Sequence, residues 1–216
     1  VLNDAIAQQG VAGALGWCMA DYNTHREFGS GDRICYHGVT DLFRNPKLSA
    51  AVYASQKTPR SPSDIVLEIS SSMALGDHPG GFAGACWAFT NADSLRFYRD
   101  NDFVAEFAPD RRGRFAALPH PPIEIQDFVG SLLEKYEGLD RAAAPQVAAI
   151  LNEMRRDALN LSPLSRARML SLRLSAHDLL RMYYKYSGVL GGPSSVYRFE
   201  AVWHGRTVRT VVKEPV

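Results

Sequence analysis

The sequence predicts an α+β fold in which a helix, a strand and a helix precede an antiparallel β-sandwich that carries a helical insertion. Three patterns carry this reading. Gly13 to Met19 (GALGWCM) is an unbroken small and apolar run that follows a helix-spaced segment, as expected of a strand buried on both faces. From Asp64 to Phe107 short apolar runs are separated by Gly, Asn and Asp turns, which read as antiparallel strands. Between Pro119 and Tyr186 the apolar spacing becomes helical, and it returns to strand alternation at Ser195.

Taken in order, Leu2, Ile6 and Val11 recur at roughly helical spacing, with no Ser, Thr, Asp or Asn before them as a cap. The expectation is a chain that begins inside a helix, as the C-terminal piece of a longer polypeptide would. Ala20 to Arg33 is polar and Gly-rich, hence a loop, and Asn45-Pro46 has the Asn cap and Pro at the first helical position that open a helix through about Ser55. Lys57 to Ser63 (KTPRSPS) reads as the linker that ends this first part. Strands are expected at Ile65 to Ile69, Ala83 to Thr90, Leu95 to Tyr98 and Phe103 to Phe107, forming a meander. Three or four helices follow, marked by Phe128, Leu132, Leu133 and Tyr136, then Val147, Ile150, Leu151 and Met154, then Met169, Leu172, Leu179, Leu180 and Tyr183. A hairpin of Ser195 to Trp203 and Thr207 to Val212, turning at His204-Gly205, closes the chain. The organisation is therefore 1–56, 57–118 as the first half of the sandwich, 119–190 as the insertion and 191–216 as the final hairpin.

Composition removes several function classes. At 216 residues and 23.9 kDa the chain can bury about 70% of its unfolded surface, so a true core is expected without covalent staples. Lys and Arg number 24 against 23 Asp and Glu, with no basic stripe, which argues against a nucleic-acid partner. No apolar run approaches the ~18 residues of a membrane span. Cys18, Cys35 and Cys86 are an odd number without C-x-x-C spacing, which reads as three thiols in a reducing, cytoplasmic compartment, with neither a disulfide framework nor a zinc cage.

The Ala20 to His37 loop concentrates functional side chains, namely Asp21, Tyr22, Asn23, His25, Glu27, Asp32, Tyr36 and His37, after the end of the buried run, where α/β folds place their sites. A solvated surface loop would have the same composition. Pairs among Asp21, Glu27 and Asp32 have the residue type for glycoside hydrolysis, but three acids in a polar loop are a weak signal. Gly29-Ser30-Gly31 lacks the lysine and spacing of a phosphate loop, and no G-x-S-x-G is present. Cys18 beside Trp17 reads as packing rather than a nucleophile. His78, His120, His177 and His204 fall near turns or helix starts and read as structural, and the Asn160-Leu161-Ser162 sequon predicts nothing without a secretory signal. No cofactor is expected.

Over Gly13 to Gln56 the sequence resembles the end of the catalytic (β/α)8 barrel of family 2 glycoside hydrolases, the β-galactosidase and β-glucuronidase group. The likeness rests on the run into Trp17, on Gly31-Asp32-Arg33 leading to Cys35-Tyr36-His37-Gly38, and on Asn45-Pro46-Lys47. It is looser over Leu95 to Phe107, and the helical block is no general feature of the family. The resemblance implies that 1–56 is a barrel remnant followed by the family's β-sandwich, and that the partners are a carbohydrate substrate and an upstream barrel of the same polypeptide. It implies a substrate-binding role for Trp17, Asn23, Asp32 and His37, with Trp17 lining the sugar subsite. The family's two catalytic glutamates come from earlier barrel strands and have no counterpart here, so the chain alone is expected to be inactive. His37 stands where galactosidases place a sodium-binding Asn. Cys35 and His37 stand where glucuronidases place an Asn-x-Lys pair, which makes a glucuronide the poorer substrate. An apolar patch facing the absent barrel would favour self-association. The rival reading is a non-catalytic carbohydrate-binding or scaffold module, favoured if aromatics of the final hairpin face outward rather than inward.

Overall fold

The computed structural model describes residues 1–27, 31–73, 84–187 and 194–214. His78 and the Gly29-Ser30 turn lie outside them. Helix α1 spans Leu2–Ala7. The two-stranded ribbon β1 (Tyr22–Asn23) and β2 (Ile34–Cys35) follows, and α2 spans Leu48–Ala54. Next come β3 (Leu67–Ile69), β4 (Trp87–Thr90), β5 (Ser94–Arg99), β6 (Asp102–Phe107) and β7 (Ile123–Glu124). Helices α3 (Leu132–Glu137), α4 (Ala144–Asp157), α5 (Pro163–Ser171) and α6 (Ala176–Tyr186) precede the hairpin of β8 (Tyr197–Trp203) and β9 (Arg206–Lys213).

The strands divide into two antiparallel sheets rather than one meander. One has the order β3-β4-β7 and the other β6-β5-β8-β9, so the chain changes sheet between β4 and β5. Thr90 and Asn91 make that corner: the Asn91 side chain accepts from Val66 N (2.8 Å) and donates to Lys57 O (2.9 Å) and Asp64 O (3.1 Å), while Thr90 Oγ1 accepts from Ala92 N (3.1 Å). The backbone donors that would have continued the β4 ladder are thus satisfied locally. The short β7, which has no long alternating run behind it, is held as an edge strand by pairing of Trp87 with Glu124 and Ala88 with Ile123.

Alternation supplies the core. In β5, Leu95, Phe97 and Arg99 point inward, and Phe97 stacks on Phe199 at 4.9 Å and meets Phe128 edge-on at 5.2 Å. The same cluster takes Val147, Ile150, Leu151 and Met154 from α4 and Leu179, Met182 and Tyr183 from α6, so the helices share one core with the sheets. Arg99, buried at the end of β5, is satisfied by Ser195 Oγ (2.9 Å) and by the carbonyls of Lys185 and Tyr186, and so caps the C-terminus of α6.

A helix-to-helix tie comes from Glu137 of α3, whose side chain is only 9% exposed and accepts from Arg181 (2.8 Å), Lys185 (2.6 Å) and Tyr186 (2.7 Å) of α6. Burial opposes its ionisation, but these three donors outweigh it and hold the carboxyl at about 2, against an ordinary 4.5. A carboxyl depressed in the folded state contributes stability that is complete above its unfolded value and is lost as pH falls toward 2. Glu137→Gln is expected to cost about 2 kcal/mol at pH 7, the ~1.4 kcal/mol per unit being discounted for the exposed ends of Lys185 and Arg181. Urea titrations at pH 7 and pH 3 check it: a gap between variant and parent that stays constant with pH contradicts the assignment.

Two local expectations are corrected. Gly13 to Met19 forms no strand, and most of it is exposed, Leu15 and Trp17 included. A strand is covered on both faces where it is paired within a sheet that helices overlay, whereas among the described residues the backbone bonds from the end of this run go to residues 37–40 alone. The helix expected from Asn45-Pro46 begins later, at Leu48, because Asn45 is committed to Asp41: its amide N and Nδ2 reach the two Asp41 carboxylate oxygens, both at 2.8 Å. A 3-10 turn, Pro62–Asp64, occupies part of 57–63, with Asp64 accepting from Lys57 Nζ (2.8 Å). All three cysteines are free thiols.

Candidate functional site

The site is built on one short parallel pairing. Cys18 N donates to His37 O (3.3 Å), Val39 N to Cys18 O (3.0 Å), Thr40 N to Met19 O (3.0 Å) and Asp21 N to Thr40 O (3.0 Å). Thr40 is paired on its other side with Pro46, antiparallel. The polar loop between residues 21 and 37 is thus pinned at its two ends by the same ladder. Gly38 permits the close approach: a Cβ there would stand 2.2 Å from Asp21 N, 2.3 Å from Ala20 C and 2.5 Å from Thr40 O.

Asp21 fastens the base. It is buried, and its Oδ1 accepts from Gly38 N (2.9 Å) and from Lys47 Nζ (2.6 Å), which also donates to Tyr36 O (3.3 Å) and lies over the Tyr36 ring. One carboxylate therefore joins the end of the apolar run, the turn before Val39 and the start of α2. An Asp directly after an apolar run, with a Gly and a Lys further on, is the only sequence signal for this anchor, and composition alone does not set Asp21 apart from the other loop acids.

On that base the side chains meet in pairs. Trp17 is 77% exposed and its Nε1 donates to the Tyr22 hydroxyl (3.4 Å); the Trp17-Cys18 peptide is cis. Tyr22 faces Cys35 across the β1-β2 ribbon, and a hydrogen bond with that thiol pushes the phenol upward while the Trp17 indole N–H works against it. Cys35 Sγ lies 3.1 Å from His37 Nδ1. Trp17, Tyr22, Cys35 and His37 consequently form one continuous line of contacts. Asp32 accepts from the Tyr36 hydroxyl, a bond that raises the Tyr36 pKa, and from Ile34 N (3.1 Å). Asn23, opposite Ile34 on the ribbon, is exposed. The structure thus joins Trp17 to His37 through Tyr22 and Cys35 and leaves Asn23 and Asp32 on the ribbon's outer end.

The surface this creates combines a flat, exposed indole with a rim of hydroxyl, carboxylate, amide and imidazole groups. It can offer an apolar face to a ring and hydrogen bonds to substituents around it. Of the three acids in the described loop, Asp21 is bound by Lys47 and Gly38, Asp32 by Tyr36 and Ile34, and Glu27 lies 3.8 Å from Arg26 Nε. Among the described residues no group of three or more His, Cys, Asp or Glu side chains is placed to hold a metal ion, and no helix is long and apolar enough to cross a membrane.

No family model matches the chain. It is 40% identical over 127 residues to a β-galactosidase of Thermoanaerobacterium thermosulfurigenes, which covers 58% of this chain and 17% of that protein. It is 42% identical over 115 residues to a β-galactosidase of Thermoanaerobacter pseudethanolicus, covering 53% and 15% respectively. Among solved structures, the apo form of β-glucuronidase 3 from Bacteroides uniformis matches all of this chain and 19% of its own, with a TM-score of 0.50 at 9% identity, a likeness of fold alone. The chain spans about one-sixth of the length of the curated relatives it matches. With a mixed fold of helices and antiparallel sheets and this identity over more than half its residues, the chain fits the C-terminal region of a family 2-like glycoside hydrolase of the β-galactosidase group.

Proposed function

We propose that this chain is the C-terminal portion of a retaining glycosidase acting on β-galactosides, in which it supplies one wall of the sugar subsite and not the catalytic carboxylates. The observation that carries the reading is Trp17, a large aromatic left 77% exposed at the end of a rigid backbone ladder, in a stretch whose apolar neighbours Leu15 and Met19 are exposed as well. Burying such residues is worth ~2 kcal/mol each, so a strand-lined partner surface against residues 13–19 would repay its formation. The end of a barrel completed by upstream strands is that surface, and Trp17 then faces the sugar. Asn23, Asp32 and His37 would serve the hydroxyls around it.

Retention requires two carboxylates about 5 Å apart, one as acid/base and one as nucleophile. Both would come from upstream. Tyr197 and Phe199 are buried and Trp203 packs against the core, so the final hairpin offers no outward aromatic platform, which favours the glycosidase reading over a free-standing binding or scaffold module. Three free thiols accord with a reducing compartment.

The chain by itself is expected to release no detectable aglycone from aryl β-galactosides or β-glucosides, because in this reading the two glutamates that protonate the leaving oxygen and attack the anomeric carbon lie upstream. A polypeptide that includes the upstream barrel should hydrolyse the galactoside. Steady-state assays of both decide the matter, and turnover by the isolated chain would mean the catalytic pair lies within it.

A further inference from the structure

A second surface has the makings of a ligand site. The edge strand β6 of one sheet, through Glu106 and Phe107, and the edge strand β7 of the other, through Glu124, line one cavity of about 480 Å³ together with Asp110, Arg114 and Phe115 from the connection between them. That volume lies within the ~300–1,000 Å³ usual for small-molecule pockets. Its apolar wall is Trp87, half-buried, with Phe115 standing edge-on to it at 5.6 Å. Its polar wall holds Glu124, which is the cross-strand neighbour of Trp87, together with Gln126, Asp110 and Arg114.

The chemistry of that lining narrows the ligand. Carboxylates beside aromatic rings would suit an organic cation, but the cations here come from the chain itself. Arg114 lies over the Phe115 ring at 5.2 Å, and Arg96 Nε holds Glu106 at 2.9 Å. What is left is a mixed set of acceptors and donors: Glu124 and Asp110, whose Oδ1 already takes Arg112 N (2.9 Å), accept, Arg114 and Gln126 donate, and Gln126 Nε2 pre-orients Glu124 at 3.0 Å. A neutral ring bearing several hydroxyls, each both donor and acceptor, with apolar C–H groups on one face, satisfies all of them at once. We propose that the cavity between β6 and β7, walled by Trp87 and Phe115 and rimmed by Glu124, Asp110, Arg114 and Gln126, is a saccharide-binding site.

None of these residues belongs to the Trp17 loop, so the two sites can be tested apart. Galactobiose would be titrated into the chain by calorimetry, in a Trp17→Ala background so that only the second site reports, with methylammonium chloride as the cationic control. Saturable heat with galactobiose is expected, weakened at least tenfold by Glu124→Gln and by Trp87→Ala. A thermal melt accompanies each variant, and Glu124→Gln, at a half-buried position, keeps the test informative if Trp87→Ala fails to fold. Absence of galactobiose heat in the Trp17→Ala chain, or heat unchanged by Glu124→Gln, overturns the proposal. So does saturation by methylammonium without the sugar. Loss of hydrolysis in a Trp17→Ala parent would bear on the proposed glycosidase function alone and leave this cavity untouched.

Discussion

Gly38→Ala is expected to destabilise the region around residues 17–47 by about 3 kcal/mol or more. The added Cβ would meet three backbone atoms, Asp21 N at 2.2 Å, Ala20 C at 2.3 Å and Thr40 O at 2.5 Å. None of these is the mobile end of a side chain, so relief requires residues 18–21 and 37–40 to part. Parting them breaks the bonds of Val39 N to Cys18 O, Thr40 N to Met19 O and Asp21 N to Thr40 O, and pulls Gly38 N and Lys47 Nζ away from the Asp21 carboxylate. Overpacking costs typically ~1–3 kcal/mol, and separating a buried carboxylate from its donors adds to it. Hydrogen exchange at the amides of Asp21, Val39 and Thr40 reads the effect directly, and protection factors within twofold of the parent would show that the ladder is not the anchor described here. The core around Phe97 is remote in sequence and should keep its protection.

Trp17→Ala in the polypeptide that carries the catalytic barrel is expected to lower kcat/KM on an aryl β-galactoside by about a hundredfold, the scale on which a misplaced substrate loses rate. The indole is fixed by its Nε1 bond to Tyr22 and by the ladder at Cys18, so in the proposed role it both binds the sugar and sets its position. Loss should therefore appear in kcat as well as in KM. Trp17→Phe keeps a flat ring without the N–H donor and should recover part of it. A fully active Trp17→Ala enzyme would place the sugar elsewhere.

Much of this architecture is legible in residue order alone. Alternation at Leu95 and Phe97, helical spacing of Val147, Ile150, Leu151 and Met154, and the His204-Gly205 turn each depend on neighbours a few positions away, and each element forms close to where its pattern lies. The clustering of polar side chains between Asp21 and His37 is equally plain. Other features depend on groups distant in the chain. Asp21 looks like a loop acid until Gly38 and Lys47 are brought to it across separations of 17 and 26 residues. Asn45 carries a capping signal, yet Asp41 outcompetes the helix for it. The division of the strands into two sheets turns on the side chain of Asn91 reaching Lys57, Asp64 and Val66. Gly13 to Met19 has the composition of a buried strand, but burial belongs to a pair of surfaces, and among the described residues the backbone bonds from the end of that run go to residues 37–40 alone. Sequence by itself determined most of the elements after residue 64, their core positions and the loop that gathers the polar groups, since periodicity and turn chemistry are local, but not the short strands β1, β2 and β7. Which carboxylate anchors and which remains at the rim, and whether an apolar run is covered, were decided only by tertiary structure, because desolvation and pairing depend on atoms that the chain order does not place together.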